Sequence, residues 1–118
     1  MAGKIIADTL EHSTAGSLST EYVVNGSAKV WCNNDQNSTH DIADSFNIAS
    51  VTDAGTGRSD YAYSNAMSSS AHAPQSSGYD SVGFFAHALY NVATTGHTVG
   101  VNGVDLEGVY TTTHGDLA

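Results

Sequence analysis

Asp44-Ser-Phe-Asn-Ile-Ala-Ser-Val-Thr-Asp-Ala-Gly-Thr-Gly57 decides the fold class. Phe46 and Ile48 alternate with smaller and polar residues, the period of a half-buried strand. The run then ends in Asp53-Ala-Gly-Thr-Gly57, a cluster of turn-forming residues. The spacing predicts a strand over Ser45–Thr52 with Phe46 and Ile48 on one face. Val51 falls out of that phase, which predicts a bulge near Ala49-Ser50.

The same punctuation continues on both sides. Upstream, Asn25-Gly26 is a type I′ hairpin signal between Glu21-Tyr-Val-Val24 and a strand over Ser27–Asn33, followed by a polar, exposed loop over Asn34–Asp41. Downstream, Asp60-Tyr-Ala-Tyr63 opens a strand, and Ser64–Ser77 is a serine-rich segment expected to be a variable loop. Tyr79–Val92 is the most apolar run. Val82, Phe84, Ala86, Ala88 and Tyr90 lie at period two, with Phe85 and Leu89 opposite. Val82, Phe85 and Leu89 also fit a helix, but Gly78, Gly83 and the aromatic pair favour a strand. His97–Val101 and Leu106–His114 read as a second hairpin about Asn102-Gly103, with Val104, Val109 and Tyr110 buried. Short strands punctuated every ten residues or so indicate an all-β, antiparallel β-sandwich. Its expected core anchors are Trp31, Phe46, Ile48 and Phe84.

Residues 1–25 differ from the sandwich domain expected over 26–118. Ile5, Ile6 and Leu10 are apolar, whereas His12–Ser17 is too polar for a core. This is the pattern of an extended N-terminal arm that docks through Ile5, Ile6 and Leu10 and ends in a short strand.

Composition narrows the function. The 118 residues hold three basic side chains against twelve acidic ones, a formal charge of −9. Nucleic acid is a poor partner for such a chain, because binding there rests on Lys and Arg contacts to phosphate. An anionic membrane surface is disfavoured for the same reason. No window approaches the apolar length of a membrane-spanning helix. Met1–Asp8 lacks the apolar core of a signal peptide, so folding in the cytoplasm of the producing cell is expected. Cys32 is the single cysteine; beside Trp31 in an apolar strand it reads as a small buried hydrophobe.

Chemistry-bearing constellations are weak. His40-Asp41 with Asp44 has the only ligand-like spacing among the six histidines, and without a cysteine or second histidine it makes a poor metal site. The remaining histidines are scattered in loops or strand ends, except His87, which reads as a core or interface residue. No nucleophile elbow or phosphate-binding glycine loop is present. Asp53, Asp60, Asp80, Asp105 and Glu107 could supply paired carboxylates, but turn initiation explains Asp53 and Asp105 better. No catalytic residue, metal or cofactor is therefore expected. Tyr61, Tyr63 and Tyr79 flank the serine-rich segment; exposed there, they could stack on sugar rings, and buried they would close the edge of the sandwich.

Lys29-Val-Trp31, the stretch Asp44–Gly57 and Gly115-Asp-Leu-Ala118 together resemble a small β-domain of bacteriophage tail-fibre and virion-surface proteins. That family's pattern runs Lys-Ala-Trp-Val-Asn-Phe, then Asp-Ser-Phe-Asn-Val-Ser-Ser-Ile-Thr-Asp-Asn-Gly-Thr-Gly-Asp-Tyr, and often closes with Gly-Asp-Leu-Ala. The likeness covers Gly26–Tyr63 and the last four residues. The arm from Ala7 onwards also resembles the beginning of short marine-phage virion proteins that carry this domain. Cys32 in place of the usual Val, and the lack of a long strand after Tyr61, depart from the pattern. The resemblance implies a non-catalytic structural module, usually a homotrimer, displayed on the virion and bound to the major capsid protein or a tail component. The lack of a long anchor or shaft favours a capsid decoration or head-fibre protein docked through its arm. The alternative is a tail-fibre or tail-tip module that binds a host-surface glycan.

Overall fold

The computed structural model of the chain describes residues 3–37, 39–101 and 103–118; Asn102, in the expected second hairpin turn, lies outside the described residues. The fold is all-β, and its strand pairings are antiparallel. A five-stranded sheet joins, in spatial order, β4 (Ile42–Phe46), β3 (Ala28–Asn34), β11 (Gly108–His114), β7 (Ala73–Asp80) and β8 (Gly83–Ala86). A four-stranded sheet joins β5 (Ile48–Asp53), β6 (Arg58–Tyr63), β10 (Gly96–Gly100) and β9 (Ala88–Ala93). Their inner faces meet in one sandwich. Cys32 and Val109 from the first sheet pack with Tyr61 and Val99 from the second and with Leu106. Val30, Tyr63 and Met67 extend the core.

The strand expected over Ser45–Thr52 is two strands in two sheets. Asn47 sits between them at φ 58°, a backbone conformation that asparagine tolerates better than most residues. Its Oδ1 accepts from Asn65 N at 2.7 Å and Asn65 Nδ2 at 3.0 Å, and its Nδ2 donates to Asn65 O at 3.1 Å. The kink carries the chain from β4 to β5, as strands do at the corners of a sandwich. It also separates the two expected anchors. Ile48 turns in and packs on both core clusters, whereas Phe46 stays on the outer face, 54% exposed. The expected bulge is present, as a register shift between Ile48 and Ser50.

Trp31 and Phe84 are likewise not core anchors. The inward phase of β3 belongs to Val30, Cys32 and Asn34, which turns Trp31 out beside its cross-strand partner Phe46. Tyr79–Val92 is no single strand. Asp80 Oδ1 accepts from Val82 N at 2.7 Å and Gly83 N at 3.1 Å, closing a turn. The chain then runs through β8, crosses between sheets at His87 and continues as β9. Phe85 therefore faces the core and Phe84 is 93% exposed. Nor is Ser64–Ser77 simply a loop: Met67 bridges Leu117 and is buried, and β7 begins at Ala73. The C-terminal hairpin is replaced by a crossover, since β10 and β11 lie in different sheets. Leu106, between them, is fully buried, while Val104 and Tyr110 are exposed.

The N-terminal segment folds apart from this core. A hairpin of β1 (Thr9–His12) and β2 (Gly16–Ser19) leads into helix α1 (Thr20–Gly26), and no residue of the three is buried. The strand and hairpin expected at Glu21–Gly26 are thus absent. Both edges of β3 are already taken, by β4 and β11. The Ser19 side chain instead caps a helix by accepting from Glu21 N. The radius of gyration, 16.6 Å, exceeds the roughly 13.5 Å of a compact domain of this length, as a projecting segment requires.

Candidate functional site

Of the two alternatives open for Tyr61 and Tyr63, exposed at the surface or buried at the sandwich edge, both take the buried one. The inward phase of β6 is Ser59, Tyr61, Tyr63, and their hydroxyls reach across to the facing sheet. Tyr61 Oη donates to Asn34 Oδ1 at 2.6 Å. Its ring stacks on His97 with centroids 4.8 Å apart and planes 12° from parallel. Tyr63 Oη lies 2.7 Å from His97 Nδ1, 3.2 Å from His72 Nε2 and 3.3 Å from Thr113 Oγ1.

The proton order in this cluster follows from the one-way bonds. Thr111 Oγ1 donates to the Gln75 carbonyl at 3.0 Å, so at its 3.0 Å contact with His97 Nε2 it accepts. His97 Nε2 therefore carries the proton, and Nδ1 of the neutral ring accepts from Tyr63. His72 Nδ1, 2.9 Å from Ser69 O, must also be a donor. Burial, reinforced by the nearby His72, pushes the His97 imidazole down to about 4, against a smaller opposing pull from Asp60. Burial raises the Tyr61 and Tyr63 hydroxyls. The ring that could have been a base is held neutral between two sheets, and its chemistry here is cross-bracing.

Other polar side chains serve as braces too. Gln36, in the loop expected to be exposed, is buried; its Nε2 donates to Ser59 Oγ at 2.9 Å and its Oε1 accepts from Leu106 N at 3.1 Å. His40 is buried with Nε2 3.1 Å from the Arg58 carbonyl, which makes it a donor. Asp44 Oδ1 accepts from Ser45 N. Among the described residues no three His, Cys, Asp or Glu side chains converge on a metal position. Asp53 closes its own turn on Gly55 N at 2.7 Å, and Asp105 holds Gly57 N at 2.6 Å. His87 is half-buried with Nδ1 2.8 Å from Ser76 Oγ. Cys32 is buried, and burial with the nearby Asp44 raises its thiol to about 11, well above the range of a reactive thiolate.

Two surfaces remain. On the N-terminal unit, Ile5 and Ile6 are 91% and 82% exposed. With Leu10, Val23 and Val24 they line an open cleft of about 450 Å³. On the outer face of the five-stranded sheet, Tyr79, Tyr110 and Phe84 form a row of rings. Sequence reading found Ile5, Ile6, Leu10 and Tyr79 but missed Tyr110, because it assigned the wrong face. In Val109-Tyr-Thr-Thr-Thr-His114 the inward phase is Val109, Thr111 and Thr113, so apolar character alone does not separate in from out. No helix among the described residues is long and apolar enough to cross a membrane. Comparison with known proteins adds no relative: no protein family, curated protein or solved structure matches this chain.

Proposed function

We propose that the chain is a non-enzymatic bacteriophage virion protein of the capsid-decoration or head-fibre type, attached through its N-terminal unit and displaying the sandwich outward. The observation that carries this reading is the unburied apolar surface of Ile5, Ile6, Leu10, Val23 and Val24, on the segment before β1, the hairpin and the helix, which contribute nothing to the sandwich core. Exposed apolar residues gathered round a cleft mark interaction sites. The resemblance of Gly26–Tyr63 and Gly115–Ala118 to virion β-domains supplies the setting. The major capsid protein is the partner. Trp31 and Phe46, side by side on the outside of β3 and β4, offer a second apolar contact suited to a homotrimer. Trimerisation would join three modest attachments into a stable one.

The test is a double substitution, Ile5→Asp with Ile6→Asp, followed by co-sedimentation with intact particles. Each isoleucine withdrawn from a buried contact costs about 1.5–3 kcal/mol, so particle-bound protein should fall by about a hundredfold or more while circular dichroism stays unchanged. Undiminished binding overturns the docking role. Labelling confined to the tail overturns the capsid placement, and a monomer by light scattering overturns the trimer.

A further inference from the structure

We infer that the outer face of the five-stranded sheet carries a binding site for a neutral oligosaccharide, built on Tyr110. This site is independent of what the N-terminal unit docks to. Its register places it. On the outward phase, Tyr79 lies opposite Gly108, Tyr110 opposite Ser77, and Thr112 opposite Gln75. Tyr110 therefore stands between Tyr79 on one side and the Thr112–Gln75 pair on the other. The side towards Tyr79 is closed, with ring centroids 6.2 Å apart and planes 18° from parallel. The other side borders a groove of about 350 Å³ whose lining is Gln75, Ser76, Ser77, Tyr110 and Thr112.

The wall is braced. Tyr79 packs against Phe84 at 6.5 Å and lies over Gly108, where a Cβ would come within 2.4 Å of its ring. Only glycine lets the ring settle there. Tyr110 is thus a half-exposed aromatic held upright before any ligand arrives, which lowers the ordering cost of binding.

The lining selects the ligand class. Its five residues carry no charge, in a chain of net charge −9. Gln75 offers amide donors and an acceptor, and Ser77 and Thr112 offer hydroxyls that do both. An aromatic face beside such groups matches a pyranose, which has an apolar C–H face and a rim of hydroxyls. A peptide adding as a strand is excluded, because β7 and β11 are paired on both edges. The groove has the volume of a small-ligand site, about 300–1,000 Å³. Glu107 and Asp35 act electrostatically on Tyr79, and their carboxylates disfavour a polyanionic glycan.

The experiment titrates the full chain with cellohexaose and chitohexaose, with polygalacturonate as the anionic comparison. Amide shifts are followed by NMR and affinity by calorimetry. At least one neutral hexamer should shift the amides of Gln75, Ser77, Tyr110 and Thr112. Tyr110→Ala should weaken binding about tenfold or more, and Tyr110→Phe should retain it. Gln75→Ala, an exposed side chain that leaves the core untouched, should also weaken binding and covers the case in which Tyr110→Ala misfolds. No binding by either neutral hexamer at millimolar concentration overturns the site. So does preference for polygalacturonate, or binding that survives both Tyr110→Ala and Gln75→Ala. Concentration-dependent shifts on this face without sugar, abolished by Tyr110→Ala, would assign it to a second copy of the chain instead.

Discussion

His97 shows how a single residue sets the pH response of the whole fold. Its imidazole is neutral inside, titrating at about 4, against 6.5 for a free histidine. Between those values the unfolded chain binds a proton that the folded chain does not. Stability is therefore full above pH 6.5 and falls as pH drops towards 4, by about 3 kcal/mol for this one group. His87, lowered by burial, acts in the same direction. Thermal melts between pH 7.5 and 4.5 should show that loss, and His97→Gln should flatten it while lowering stability at neutral pH. Removing the Tyr63 hydroxyl with Tyr63→Phe leaves His97 Nδ1 without its donor and should cost about 1–3 kcal/mol, read by urea denaturation. A melt independent of pH across that window would show that folded His97 takes up its proton as readily as the unfolded chain does.

Among the elements, the crossings between sheets that occur inside apparently continuous apolar runs, at Asn47 and His87, are what the sequence concealed. Period two in Phe46–Ile48 and in Val82–Tyr90 is real, but it is counted through Asn47 and His87, where the chain changes sheets. A period has no mark for such a corner, so it assigns Phe46 and Phe84 to the inside although both lie outside. The strands at Ala28–Asn34, Arg58–Tyr63 and Gly96–Gly100, the bulge after Ile48 and the turn role of Asp53 were legible, because they rest on local residue chemistry. The buried polar bracing was not: Asn34, Gln36, His97 and Thr111 find partners 14 or more residues away. Asn47 is the place to test the corner. Asn47→Gly keeps the backbone freedom and loses only the Asn65 bonds, whereas Asn47→Ala also strains φ. The alanine variant should be less stable than the glycine variant by about 1 kcal/mol. Equal stabilities would mean that the corner is held by the side chain alone. Gly57→Ala is the harsher case: φ is 76° and a Cβ would lie 2.1 Å from Val101 O. It should lower stability by about 2 kcal/mol or more.

At the scale of the whole molecule, the division of labour has a thermodynamic signature. The sandwich buries Tyr61, Val99, Leu106 and Val109, while the hairpin and α1 bury nothing. Lys29 Nζ donates to the carbonyls of Val24, at the end of α1, and Ser27, at 2.9 Å to the latter; solvent-exposed bonds of this kind contribute little to stability. A segment with so little buried surface unfolds locally at a small cost, independently of the core. Deleting residues 1–20 should therefore leave the melting temperature of the sandwich within about 2 °C, and amides of the hairpin and α1 in the intact chain should exchange far faster than those of β11. Particle binding by that truncated chain should be lost. A truncation that melts much earlier would mean that Ile5, Ile6 and Leu10 cover the sandwich itself, and their exposed surface would then be no docking surface at all.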